Sequence, residues 1–393
     1  MIVILASLFA CVLLVILIPV SVLFVQVLMA RGGGQPAATG PRPRLAVLVP
    51  AHNEEAGLAA TLAALMPQLR AGDRVLVVAD NCSDGTAAVA RAAGALAVER
   101  HHDTERGKGY ALDFGVRQLA ADPPEVVIII DADCHTGPGV LDRIATDAVA
   151  ANRPVQALYL MYAAADSGLM KKVAQFAWLV KNHVRPLGYL RLNLPCPLMG
   201  SGMAFPWQLI STASLASGHI VEDMKLGADL ARAGHPPLFC PDVLVSSTFP
   251  VSASGTQSQR TRWEHGHLSM ILSDAPGMLG EGLRRRNSAL LAMALDLSVP
   301  PVALLCLGVL AAFVLSAVFS LLTGAMLPLW LASAALAMTV LSILLAWWRY
   351  GRTVLSAANL ALAVGYIFWK VPVYLRFLVR RQVDWVRSKR DSE

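Results

Sequence analysis

The sequence predicts an α/β layer of buried strands and covering helices, set between apolar helices long enough to cross a membrane. Three observations predict it. Short β-branched runs alternate with helical stretches between Arg31 and Arg286. Three of those runs end in polar, acidic or glycine-flanked residues. The apolar residues that raise the mean hydropathy to +0.54 are gathered at the two ends of the chain. Alternating strands and helices give a doubly wound layer, and ligands of such sheets bind at the carboxyl ends of the strands.

At 55% hydrophobic and only 15% charged, the 393-residue chain is too apolar for an ordinary soluble enzyme. The formal charge is +6. Arginines stand beside the apolar segments, at Arg284-Arg285-Arg286, Arg349, Arg352 and Arg380-Arg381. That placement favours anionic lipid headgroups, and the soluble part lacks the basic-aromatic interleaving of a nucleic-acid binder. The 6 cysteines are scattered without a CxxC pair. This argues against a disulfide framework or a zinc site and fits a reducing compartment.

Residues 1–30 are an almost unbroken apolar run, longer than the roughly 20 residues that span a bilayer and without the basic leader of a signal peptide. Arg31, Arg42 and Arg44 follow, so the positive-inside rule places the next domain in the cytoplasm. Residues 31–44, rich in Gly and Pro, read as a linker. The α/β domain is expected over 45–272 and an interfacial segment over 273–301. Residues 302–322 and 326–348 read as spans joined by an uncharged turn. Residues 353–379 read as an interfacial, re-entrant or third C-terminal membrane segment, and 380–393 as a basic cytoplasmic tail. The expectation is a multi-pass protein of the cell (inner) membrane with its α/β domain in the cytoplasm.

Inside the domain, Leu45 to Val49 is the first buried strand and runs into Pro50-Ala51-His52-Asn53-Glu54-Glu55. Arg74 to Ala79 is the second and ends in Asp80-Asn81-Cys82-Ser83. A short strand over Ala95 to Val98 precedes Arg106-Gly107-Lys108-Gly109. The strand Val126 to Asp131 is continuously β-branched up to Ile130, as in a strand buried on both faces. It ends in Asp131-Ala132-Asp133. Residues i and i+2 of an extended chain point the same way, so both carboxylates can face one cation. Hard oxygen ligands at this spacing suit Mg²⁺ or Mn²⁺ bridging phosphates. Helix capping by Asp131, with Asp133 merely solvated, is the other reading of the same residues.

Further on, Val155 to Tyr162 predicts a strand. Met170 to Leu190 predicts one amphipathic helix with Lys171, Lys172, Lys181 and Arg185 on one side. Gly200-Ser201-Gly202 allows close backbone approach. Glu222-Asp223 opens a helix, where the dipole favours carboxylates in any case. Gln257 to Ile271 predicts a helix carrying Gln259-Arg260-Thr261-Arg262-Trp263. Three other groups read as bland. His265 and His267 are two apart on a helix and do not face one ion, so surface or interfacial polarity is expected. His101-His102-Asp103 lies in a polar loop. Asp296, in an apolar stretch, is expected at the interface, where its charge is affordable.

Taken together, the motifs from Leu45 to Trp263 and the flanking spans resemble the membrane-bound inverting glycosyltransferases of family 2, the group of cellulose, chitin and hyaluronan synthases and ceramide glucosyltransferase. The resemblance implies a GT-A-like (Rossmann-related) α/β domain flanked by transmembrane helices. It implies donor-binding roles for Ala51, Asn53, Glu54, Asp80, Lys108, Asp131, Gln259 and Arg262, with Asp80 facing the base. Here Ala79-Asp80-Asn81-Cys82 stands in place of the family's Asp-Asp-Gly-Ser, a departure that leaves uracil unsecured. Asp131 and Asp133 become the metal ligands of an Asp-x-Asp motif and Asp223 the general base. Gln259, Arg262 and Trp263 fit Gln-x-x-Arg-Trp. Acceptor-binding roles fall on Gly200, Ser201, Gly202, Glu222 and Trp263.

The implied reaction moves a sugar from a nucleotide-sugar donor, with a UDP-sugar the favoured one, to a lipid, lipid-linked or polysaccharide acceptor at the cytoplasmic membrane face, with Mg²⁺ or Mn²⁺ as cofactor. A diphosphate leaving group needs positive charge, from a cation, Lys108 and Arg262, and the acceptor hydroxyl needs a base, Asp223. The few spans favour transfer to a membrane-associated acceptor, in exopolysaccharide or glycolipid synthesis, with export left to partner subunits. The alternatives are a processive polysaccharide synthase and a non-catalytic nucleotide-sugar-binding membrane subunit.

Overall fold

A computed structural model describes residues 2–164, 166–249 and 253–379. In chain order its elements are α1 (Ile2–Met29), β1 (Leu45–Ala51), α2 (Leu58–Leu65), β2 (Arg74–Asp80), α3 (Thr86–Ala92), β3 (Leu96–Arg100), α4 (Lys108–Leu119), β4 (Val126–Ile129), β5 (His135–Thr136), α5 (Val140–Ala151) and β6 (Val155–Tyr162). There follow α6 (Leu169–Leu179), α7 (Arg185–Arg191), β7 (Met203–Pro206), α8 (Trp207–Ile210), α9 (Glu222–Arg232), β8 (Leu238–Thr248) and α10 (Ala253–Ser273). The last six are α11 (Ala275–Arg284), α12 (Ser288–Leu297), α13 (Val302–Thr323), α14 (Leu327–Ala346), α15 (Ala357–Trp369) and α16 (Val371–Val379). The basic tail expected over 380–393 lies outside the described residues.

The chain divides into two compact units. One holds residues 32–162 and 194–266 and is built on an eight-stranded sheet in the order β3-β2-β1-β4-β7-β6-β8-β5. Four strands, β3, β2, β1 and β4, run parallel, so their carboxyl ends share one edge. The sheet is mixed rather than parallel throughout: β7 returns antiparallel to both β4 and β6. That return brings the chain just before β7 to the carboxyl end of β4. Residues of β1, β2 and β4 are buried on both faces. On one side Leu48, Leu76, Val78, Val127 and Ile129 pack with α4 and with Leu226 and Leu230 of α9; on the other lie the buried residues of α5. Each such fully buried aliphatic side chain stabilises the layer by about 1.5–3 kcal/mol.

The other unit holds residues up to Arg31, then 163–193 and 267–379. Among the described residues it contains three helices long and apolar enough to cross a membrane: α1, α13, and α14 with its continuation to Gly351. Leu13, Ala312 and Ala332 form a buried cluster among them. The last carbonyls of α1, which have no partner within their own helix, are received by Arg349, whose Nη1 donates to the oxygens of Val27, Leu28 and Ala30 at 2.9, 3.1 and 3.3 Å. Tyr350 Oη donates to Ala30 O at 2.9 Å.

Three expectations are corrected in this unit. The stretch Met170 to Leu190 is not one helix: a π-helical turn at Val180–Val184 separates α6 from α7. The extra residue rotates Arg185 away from the lysines and into the interior, where it is 4% exposed. Asp296 is likewise buried, and its charge is met not by water but by Arg185, Nη2 to Oδ1 2.8 Å. Gln26 closes the ring, accepting from Arg185 Nε at 3.0 Å and donating to Asp296 Oδ1 at 2.6 Å. His267 is 5% exposed, its Nε2 bonded to Leu297 O at 3.1 Å. Burial drives its pKa down to about 3, with Lys181 and Arg185 adding to the effect, so the ring is neutral. His265, in the other unit, is 1% exposed and is no surface residue either.

Candidate active site

Lys108, the first residue of α4, follows Gly107 directly. Gly109 is required beside it: a Cβ there would stand 2.6 Å from Ser217 O and 2.7 Å from Leu215 O, a clash with backbone that cannot yield. The lysine side chain crosses to the end of β4. Its Nζ lies 2.5 Å from Asp131 Oδ1, donates to Gly200 O at 2.7 Å and stands 3.8 Å from Glu222 Oε1. Gly200 sits among these groups with φ +98°; a Cβ there would meet Asp223 Oδ2 at 3.5 Å and Lys108 Nζ at 3.8 Å. Asp131, Glu222 and Asp223 thus converge on one ammonium. They arrive from two elements: Asp131 from the chain just past β4, and the other two from the first turn of α9.

Electrostatics follow from that imbalance. Burial alone lowers the pKa of the Lys108 ammonium, but the charges of Asp131 and Glu222 reverse it, and the group is held above its ordinary value. Burial raises the carboxyls of Asp131 and Glu222, partly opposed by Lys108. Arg262 on α10 is a further cation acting on Glu222. Its Nε is buried with no hydrogen-bond partner. Gln259 and Trp263 are half-buried on the same helix.

The donor set for a cation is compact. One ligand atom each from Asp131, Asp133 and Cys134 lies within 4.8 Å of the others. Burial pushes the Cys134 thiol well up, so its sulfur stays protonated and is a poor ligand. The two carboxylates remain, a hard oxygen pair that fits Mg²⁺ or Mn²⁺. Beside Lys108, Glu222 and Asp223 a small cleft opens, with Met203, Leu215 and Leu226 as apolar wall.

A second set of contacts lies at the ends of β1 and β2. Asn53 and Asn81 both take left-handed backbone, φ 54° and 52°, which Asn tolerates better than most residues. Ser83 N donates to Asn53 Oδ1 at 2.7 Å, Glu54 N to Thr86 Oγ1 at 2.8 Å, and His52 Nδ1 lies 2.6 Å from Asp80 O. These bonds join the loop that carries Ala51, Asn53 and Glu54 to the loop after Asp80. The Asp80 carboxylate is 5% exposed and accepts from Arg100 Nη1 at 2.8 Å. Arg100 in turn lies 5.5 Å over the Tyr110 ring and bonds Glu105. Asp80 therefore reaches this edge already paired.

Sequence reasoning missed Gln156. It is fully buried in β6, where its Nε2 donates to Ser201 O at 2.8 Å and its Oε1 accepts from Met199 N at 2.8 Å. It thereby holds the segment on which Gly200 and Ser201 sit, and Ser201 Oγ accepts from Asp131 N at 3.1 Å. The signal was a single amide inside an apolar strand, which must find partners when buried. Arg100 and Tyr110 were missed because only the fold sets them beside Asp80.

Residues 41–266 match the family model described as glycosyltransferase like family 2. An uncharacterized glycosyltransferase of Mycobacterium tuberculosis (strain ATCC 25618 / H37Rv) is 30% identical over 198 residues, covering 46% of this chain and 84% of that protein. Among solved structures, a mannosyltransferase from Pyrobaculum calidifontis in complex with GDP-Man and Mn²⁺ superposes with a TM-score of 0.57 at 16% identity, over 96% of this chain and 100% of the other. A glucosyl-3-phosphoglycerate synthase from Mycobacterium tuberculosis, with Mn²⁺, UDP and phosphoglyceric acid, gives a TM-score of 0.40 at 22% identity over 57% of this chain and 78% of the other.

Proposed function

The chain belongs to glycosyltransferase family 2 and its α/β unit is GT-A-like; from that premise we propose an inverting, metal-dependent transfer of a sugar from a nucleotide-sugar donor to a membrane-associated acceptor on the cytoplasmic face. The observation that carries the reading is the convergence of Asp131, Glu222 and Asp223 on Lys108 at the carboxyl end of β4. A layer needing only stability does not gather three carboxylates round one cation in a cleft, since burying unmatched charge is unfavourable.

Each group has a task. Asp131 and Asp133 hold the divalent cation, which when bound supplies positive charge at the donor's diphosphate. Lys108 and Arg262 stabilise the same phosphates as the leaving group departs; the buried Nε of Arg262 is one donor available for that purpose. Asp223 accepts the proton of the acceptor hydroxyl while that oxygen attacks the anomeric carbon. A single displacement inverts the centre and needs no second carboxylate as nucleophile. Glu222 keeps Lys108 charged and oriented. Ala51, Asn53, Glu54 and Asp80 border the nucleoside, with Arg100 fixing Asp80, and Gln259 adds to the phosphate contacts. Gly200, Ser201, Gly202 and Trp263 border the acceptor. The three long apolar helices support an acceptor that is itself in or at the membrane, a lipid or lipid-linked sugar, within glycolipid or exopolysaccharide synthesis.

The first test is donor turnover by detergent-purified full-length protein. UDP- and GDP-sugars are offered with Mg²⁺ or Mn²⁺, with and without membrane lipid extract; the GDP-Man complex of the Pyrobaculum mannosyltransferase makes GDP-sugars worth including. Release of nucleoside diphosphate that requires metal and lipid, with a single glycolipid product, is the expected result. A polymer product favours the processive reading. Asp223→Asn should lower turnover by about 10²–10⁴-fold; undiminished transfer rules Asp223 out as the base.

A further inference from the structure

Resting on the reading above, in which Arg262 serves the departing diphosphate and Asp223 the acceptor hydroxyl, we propose that Gly266 is a positioning residue: it lets α10 close on the start of α9 and so sets the distance between those two groups. The observation is a close approach inside the α/β unit. A Cβ at Gly266 would stand 2.5 Å from Val221 Cγ1, 3.1 Å from Val221 Cγ2 and 3.2 Å from Ile220 Cγ1. Carbon atoms in contact stand about 3.5–4.0 Å apart. Even one methyl group at this position therefore drives the two segments apart by about 1 Å.

Both sides of the contact lead to the site. On one side, Val221 is the N-cap of α9, and the next two residues are Glu222 and Asp223. The Val221 carbonyl accepts from Lys225 N at 3.2 Å, so a shift of Val221 carries the first turn of the helix with it. On the other side, Gly266 follows Arg262 by four residues, which puts both on one face of α10. Arg262 is also the α10 cation whose charge acts on Glu222. Neither side yields easily. Val221 is β-branched and stiff at χ1, and it is only 5% exposed. Past its first turn α9 is anchored by Leu226 and Leu230, which pack in the core of the layer. On α10, Glu264 and His265 are buried beside the glycine. A side chain at Gly266 is thus accommodated by moving Arg262 away from Asp223. Misplacing a reacting group by 1 Å costs about 10²-fold in rate. The nucleoside is read here as bordered by residues at the ends of β1 and β2, remote from this contact in the chain, so nucleotide binding changes far less than turnover.

The test separates turnover from binding in detergent-purified full-length protein. Nucleoside diphosphate release from UDP- and GDP-sugars is followed with Mn²⁺ and membrane lipid extract, and binding of UDP and GDP with Mn²⁺ by calorimetry. Gly266→Ala is expected to lower turnover about 10²-fold while nucleotide affinity stays close to wild type. Its melting temperature should move little, because the better helix propensity of alanine offsets part of the crowding. Adding Val221→Ala removes both Cγ atoms that meet the new methyl group, and the double variant is expected to regain most of the turnover. Undiminished turnover in Gly266→Ala overturns the proposal. So does a parallel fall of turnover and nucleotide affinity, or a double variant no more active than Gly266→Ala. A Gly266→Ala protein that does not fold makes the glycine a requirement of the scaffold and overturns the proposal as well. A wild type that neither binds nor consumes any nucleotide-sugar removes the donor-site reading itself, an outcome distinct from all of these because it needs no variant.

Discussion

At Arg185 one guanidinium meets one carboxylate, Asp296, and Gln26 closes a ring of three hydrogen bonds. At Lys108 one ammonium touches Asp131 and faces Glu222 and Asp223, with Asp133 beyond. The first cluster is buried and the second half-buried, and both join residues far apart in sequence. They differ in charge balance. The first is matched one to one, with Gln26 bonded to both partners. The second holds more negative charge than positive and lies against a cleft. A buried charge that is matched reads as architecture; one that is over-matched beside open space reads as a site waiting for a cation.

Breaking each cluster should therefore have opposite consequences. Asp296→Ala leaves Arg185 buried without its carboxylate, which destabilises by about 3–5 kcal/mol, and a melting transition several degrees lower is expected in detergent. Replacing both partners, Arg185→Met with Asp296→Leu, should recover most of that loss, because a matched pair and a matched apolar contact are close in free energy. If the double variant melts no higher than Asp296→Ala, the network does more than fill space. Asp131→Asn should do the reverse. It is expected to lower nucleoside diphosphate release by about 10²–10³-fold while leaving the melting temperature unchanged or raised, since it relieves carboxylate crowding. A large stability loss there, at retained turnover, would move Asp131 from the site to the scaffold.

Gln156 tests the ground between the two. Gln156→Leu keeps the volume but strips Ser201 O and Met199 N of their partners, at a cost of about 1–3 kcal/mol. Because Gly200 and Ser201 are set by that bond, turnover and melting temperature should fall together. A further handle is pH. His267 titrates near 3 in the fold and near 6.5 when unfolded. Its folded pKa is depressed, so the stability tied to its neutral ring is fully present above about 6.5 and is lost as pH falls toward 3. Between pH 6.5 and 5 the loss is about 2 kcal/mol, and His267→Leu should flatten the melting profile over that interval. An unchanged profile would mean that water reaches the ring.

Much of this was legible in the sequence because it is local. The β-branched run ending at Asp131 marks a doubly buried strand and its ligand edge from composition alone. The apolar stretches at 2–29 and 302–351 mark themselves by length. Glu222-Asp223 and Gln-x-x-Arg-Trp stand out as patterns, and their roles are part of the proposed reading. The short histidine and aspartate outliers were misread for the same reason: a residue's own window says nothing of what will pack over it, so His265, His267 and Asp296 looked wet and are dry.

Tertiary structure alone decided the rest. Antiparallel return of β7 sets Gly200 and Ser201 against Asp131, and no periodicity predicts which strand inserts beside β4. One π-turn residue sent Arg185 inward to a partner 111 positions away, and Gln26 reaches Asp296 across 270. Buried charges are specified by which elements meet, since their free energy depends on partners within a few ångströms and not on neighbours in the chain. The sequence by itself therefore determined the layer, the apolar helices long enough to cross a membrane and the chemical vocabulary of the site; only the fold determined which of those charges are satisfied and which are left to bind.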